Sequence, residues 1–151
     1  MKNKFASIEL KFRYFHYSDL LMVDSVVCAR ELFLSLWEQE CQCKRPTRYV
    51  LFLNFRKQLI TWKRLRVNVE YSYYYYAREI AGMAVACDAS YVIMSHQQLA
   101  VSLVSEADKN LQDKTIDSCR RVGVQVLDYL IVTPPSCAAS KMVLENNRLK
   151  V

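Results

Sequence analysis

The stretch VIMSHQQLAVSLVSEAD, Val92–Asp108, gathers residue types that can do chemistry. His96 follows an apolar run, and Ser105 and Asp108 come within the next twelve residues. Imidazole and carboxylate are common zinc ligands, and a nearby hydroxyl can donate to developing negative charge. The same residues also have an ordinary structural use. Ser105-Glu106-Ala107-Asp108 has the pattern of a helix start, with a capping serine and acids suited to the positive end of the helix. The stretch is therefore a metal site, the remains of one, or only a strand end followed by a helix start.

Other candidates are weaker. Cys41-Gln42-Cys43 lacks the C-x-x-C spacing of zinc ribbons and is too close for an ordinary disulfide. The tyrosine run Tyr73–Tyr76 suits core and helix surface, and its exposed rings offer a stacking platform. The net charge is +6, and basic residues concentrate between Arg56 and Arg66. Strand alternation there sends Arg64 and Arg66 to one face and Leu65 and Val67 to the other. With Arg56, Lys57 and Lys63 these arginines form a candidate nucleic-acid patch, expected to bind weakly, without sequence preference and with steep salt dependence. A solvated strand face has the same pattern. A glycine count of 2 leaves little for a phosphate-cradling loop or a sharp catalytic turn.

The elements that must position these residues follow from composition and period. A chain of 151 residues with 52% apolar and 24% charged residues can bury a core as a single domain. No apolar run approaches the length of a spanning helix, and the charged N-terminus lacks the apolar segment of a signal peptide. The expectation is a cytoplasmic protein, free of membrane, with its six cysteines reduced.

Alternating residues predict a strand over 7–17. Ser18 then suits the cap of a long helix from Asp19 to Gln39. YVLFLN and LITWKRLRVNV read as a hairpin turned at FRKQ, and SYYYYAREIAGMAVACDA as a helix. SYVIMS is a buried strand, SEADKNLQDKTIDSCRRV a helix ended near Gly123, and VQVLDYLIV the last clear strand. The tail 134–151 has no strong period. This order predicts an α/β domain, a mixed sheet with helices on its faces.

ELFLSLWEQ, YVLFLN, YVIMSH and RVGVQVLDYLIV together resemble the RadC-like branch of the JAB/MPN (JAMM) metalloprotease family. The likeness covers Ser18 to Thr133 and implies the cytidine-deaminase-like architecture of that family. Its most specific part is GVQVLDYLIV, where the family reads G-I-x-V-L-D-H-x-I-V. The family carries zinc on His-x-His, then Ser-x-x-Asp seven residues on, with an upstream glutamate as general base. Zinc lowers the pKa of its water, and the glutamate takes the proton as the water attacks an amide.

Carried onto this chain, the resemblance makes His96 the first histidine and Asp108 the aspartate ligand. Ser105 becomes the serine that helps hold the oxyanion. The second histidine is Gln98, a neutral amide, and only six residues separate it from Ser105. The position of the upstream glutamate is Pro46, and the family's last histidine is Tyr129. The nearest upstream carboxylates are Glu38 and Glu40. The resemblance thus implies a domain that has lost zinc-hydrolase activity and acts as a binding or scaffolding module, with links to DNA repair or mobile elements. No cofactor is expected. The partner is an unknown protein or a nucleic acid. Two alternatives stand beside it. One is an active zinc metallopeptidase with a non-standard ligand set and a displaced base. The other is a basic DNA-binding domain.

Overall fold

A computed structural model describes residues 20–41, 44–66, 73–100, 104–134 and 143–145. The strand expected over 7–17, the Ser18 cap and the Cys41-x-Cys43 pair lie outside the described side chains.

The described elements run α1 (Val26–Cys41), β1 (Thr47–Leu53), β2 (Leu59–Leu65), α2 (Tyr73–Ala86), β3 (Tyr91–Gln97), α3 (Glu106–Arg121), β4 (Gln125–Val132) and β5 (Val143–Glu145). The strands form one mixed sheet in the order β2-β1-β3-β4-β5. β1 pairs antiparallel with β2 and β3, β3 parallel with β4, and β4 antiparallel with β5. The parallel pair needs a crossover, which α3 supplies. β5 corrects the expectation of an irregular tail after 134. Three residues on a sheet edge are too few to leave a period in sequence.

Helices cover both faces of the sheet. Val26, Ala29, Phe33, Leu36 and Trp37 of α1 pack on Tyr49, Leu51, Leu53, Ile93, Leu130 and Val132. Tyr76, Ile80 and Ala84 of α2, with Leu111 and Cys119 of α3, pack on Val50, Phe52, Met94, Tyr129 and Ile131. β1 therefore buries both its faces, which is why YVLFL reads as a continuous apolar run rather than an alternating one.

The first helix begins at Val26, not at Asp19. Ser25 Oγ accepts the Cys28 N–H at 3.2 Å, so Ser25 starts the helix. The residues before it find extended partners instead. Val23 N donates to Lys57 O at 2.8 Å, Leu59 N to Leu21 O at 2.8 Å, and Met22 bridges Gln58. Val27, an apolar residue of α1, consequently faces outward and is 51% exposed.

Two turns set the sheet's geometry. Asn54 Oδ1 accepts from Arg56 N and Gln58 N, closing the β1–β2 turn. Gly123, with φ +77, ends α3, and Val124 N returns to Cys119 O at 2.9 Å. That tight exit feeds β4 directly alongside β3.

Candidate functional site

His96 lies near the C-terminal end of β3, and Asp108 lies in the first turn of α3. The structure brings the two together, with His96 Nδ1 3.0 Å from the Asp108 carboxylate. Ser105 joins them as the α3 cap. Its Oγ accepts from Asp108 N at 3.1 Å and donates to Asp108 Oδ2 at 2.7 Å. The carboxylate also takes the Ser105 N–H, completing a capping box. The helix start and the residue cluster are thus one arrangement.

Two further residues close on Asp108. Arg48 stands on β1 directly opposite His96 in the antiparallel register. Its Nε and Nη2 donate to Asp108 Oδ1 at 3.1 and 2.9 Å. Tyr129, on β4, donates its hydroxyl to the same oxygen at 2.6 Å. Asp108 is wholly buried, and the Arg48 and His96 side chains are largely so. A carboxylate buried this deeply is costly unless fully paired. Here both oxygens accept, and a guanidinium balances the charge.

Burial alone would raise the Asp108 pKa. Hydrogen bonds from His96, Tyr129 and Ser105 outweigh it and hold the group well below the usual carboxylate range. Burial and the Asp108 charge push the Tyr129 phenol upward, so it remains a donor. Burial opposes the Arg48 charge, but Tyr129 and Asp108 prevail and raise its pKa above the ordinary value. The carboxylate has no proton to give, so His96 Nδ1 carries the one between them. Gln98 Nε2 lies 3.2 Å from that same nitrogen.

Catalytic zinc usually takes three protein ligands and leaves a position for water. The donors here are one imidazole, a neutral amide and a carboxylate already accepting at both oxygens. The charge beside it is a cation, which repels a second one. Among the described residues no group of three His, Cys, Asp or Glu side chains is placed to hold a metal ion. This donor set does not fit a catalytic zinc. Nor do the upstream carboxylates of the described helix α1 reach it. Glu38 and Glu40 belong to α1, on the opposite face of the sheet. Glu40 Oε2 accepts from Tyr49 Oη at 2.8 Å and pairs with Arg64 at 3.4 Å.

The basic residues of the hairpin do not form one surface. Arg56 and Lys57 sit in the β1–β2 turn, while Lys63 and Arg64 lie toward the other end of β2. Lys63 pairs with Glu79 of α2 and Arg64 with Glu40 of α1, so these neighbours are held on opposite faces of the sheet. Arg66 lies just past β2 and is exposed. Leu65 faces the core as expected, but helix α1 covers the side to which Arg64 turns.

Sequence reasoning missed Arg48 as a member of the site and saw Tyr129 only as a replaced histidine. A signal for Arg48 was present. It stands two residues before Val50 and four before Phe52, on the same buried face of a central strand. An arginine in that position needs a buried carboxylate.

This sheet, covered by helices on both faces and carrying the site at the β3 end, is the frame of a JAB-type domain. The family model for the RadC-like JAB domain matches residues 26–143, and the chain belongs to that family. It is 35% identical over 91 residues to a UPF0758 protein of Photorhabdus laumondii, covering 60% of this chain and 40% of that one. Against a UPF0758 protein of Haemophilus influenzae it is 32% identical over 95 residues, covering 62% and 43%. Against one from Streptococcus suis it is 28% identical over 128 residues, covering 84% and 52%. The chain thus spans about half the length, or less, of these curated relatives.

Proposed function

We propose that this RadC-like JAB domain has lost zinc-hydrolase activity and serves as a cytoplasmic binding or scaffolding module. Its setting is DNA repair or the traffic of mobile elements, and its partner is a protein or a nucleic acid. The observation that carries this reading is the Arg48–Asp108 ion pair at 2.9 Å. It assigns the one ligand-type carboxylate of the site to an internal cation. The Gln98 amide in place of a second imidazole and the placement of Glu38 and Glu40 on the helix of the other sheet face support the same reading. So does the basic balance of +6 for a nucleic-acid partner. Free thiols at Cys28, Cys87 and Cys119 suit a reducing compartment. Among the described residues no helix is long and apolar enough to cross a membrane.

The test is thermal unfolding with a chelator and with excess zinc. A metal that binds the folded state raises the midpoint by mass action. An unchanged midpoint in both conditions is expected. A midpoint raised by zinc and lowered by the chelator would contradict the proposal.

A further inference from the structure

We infer that the groove between α2 and α3 binds single-stranded nucleic acid. The groove stands apart from the Asp108 cluster, and the inference does not depend on whether that cluster holds metal.

Helix α2 has two stripes at helical spacing. Tyr76, Ala77, Ile80 and Ala84 form the buried one. The other runs through Tyr74, Tyr75, Arg78, Gly82 and Val85 and lines the groove, with Arg121 of α3 and its C-cap Val122 opposite. The groove encloses about 780 Å³, the size class of a ligand site. Tyr74, Tyr75, Val85 and Val122 are each between 46% and 64% exposed. That concentration of half-exposed apolar and aromatic surface marks a contact face.

The charge of the groove selects the occupant. Arg78 and Arg121 are exposed, and no carboxylate among the described residues pairs with either. The lining carboxylate, Asp117, lies 3.7 Å from Arg120. Lys114, outside the lining, sits 4.6 Å over the Tyr74 ring and donates to its hydroxyl at 3.4 Å, so a base would stack on the ring's other face. Phenol rings interleaved with exposed arginines match a strand whose bases stack while its phosphates meet guanidinium groups. Bases in a duplex are already stacked and do not present faces to such rings, so the groove favours an unpaired strand.

Gly82 is a second, independent observation. Glycine is the poorest helix former after proline. A Cβ at Gly82 would meet nothing within 4 Å, so packing does not require glycine there. Its place on the groove stripe keeps that surface clear for close approach.

The experiment is fluorescence anisotropy with labelled oligothymidylate, a labelled hairpin duplex and labelled polyglutamate, at low and moderate salt. Wild type is expected to bind the oligothymidylate more tightly than the duplex, and binding should weaken as salt rises. Arg78→Glu/Arg121→Glu and Tyr74→Ala/Tyr75→Ala should each weaken it by at least about tenfold. Gly82→Glu should weaken it similarly while leaving the unfolding midpoint at or above wild type, since the new side chain enters open space and glutamate is the better helix former. Arg64→Glu/Arg66→Glu should leave it nearly unchanged. Absence of oligothymidylate binding at low salt, or indifference to all three groove variants, overturns the inference. Loss on the Arg64/Arg66 change alone moves the site to the hairpin. Preference for polyglutamate makes the groove an acidic-peptide site instead.

Discussion

Arg48 and Asp108, sixty residues apart in the chain, form the buried ion pair at the centre of this domain, with Nη2 2.9 Å from Oδ1. The pair bridges β1 to the first turn of α3, and Tyr129 and His96 tie β4 and β3 to the same carboxylate. One side chain thus joins three adjacent strands and the crossover helix. In this chain the residues that match a metal motif share one buried cluster with a guanidinium and a phenol.

Removing the cation leaves an uncompensated buried carboxylate. Arg48→Met should therefore destabilise the fold by about 3–5 kcal/mol in denaturant unfolding, and Arg48→Lys should cost less. Adding Asp108→Leu to Arg48→Met should recover much of the loss, because the pair is then replaced by apolar groups. A double variant no more stable than Arg48→Met would show that the pair is not the origin of the cost.

Tyr129→Phe removes one donor from the carboxylate and leaves the ring in the core. A loss of about 1–3 kcal/mol is expected, with the Asp108 pKa moving upward. A loss below about 0.5 kcal/mol would mean that the 2.6 Å contact contributes little in solution.

Asp128 behaves oppositely to Asp108. Its Oδ1 accepts from Tyr129 N at 3.0 Å, its Oδ2 has no partner among the described residues, and burial pushes its pKa up to about 6. Between pH 3.8 and about 6 the folded state keeps a proton that the unfolded state has released, so stability falls as pH rises through that window. The loss amounts to roughly 3 kcal/mol at most and is complete above that range. Asp128→Asn should therefore raise the unfolding midpoint at pH 7–8 and change it little near pH 4. For Asp108 the sign reverses. Its depressed pKa gives stability that is full above the unfolded value of 3.8 and is lost as pH falls below it. Unfolding followed from pH 3 to 8 in wild type and Asp128→Asn checks both limbs.

Much of the fold was legible because its signals are local. The hairpin, the α3 cap and the Gly123 exit each rest on a few adjacent residues. The start of α1 was not legible, since Leu20 and Val23 continue the apolar pattern while their backbone pairs with the distant turn at Lys57–Leu59. Arg48 was hidden by a boundary. A strand beginning at Tyr49 leaves Arg48 in the loop, whereas β1 begins at Thr47 and aligns Arg48 with Val50 and Phe52. The basic hairpin shows a limit of alternation. Period two assigns Lys63 and Arg64 to opposite faces, but only the tertiary fold reveals that each face has a helix carrying a glutamate.

Balance of the Asp108 charge by Arg48, rather than by a metal ion, is open to direct measurement. Elemental analysis of protein purified without added metal, as wild type and as His96→Ala, tests it most directly. Far less than stoichiometric zinc is expected in both, with no difference between them. Near-stoichiometric zinc in wild type, lost in His96→Ala, would contradict it.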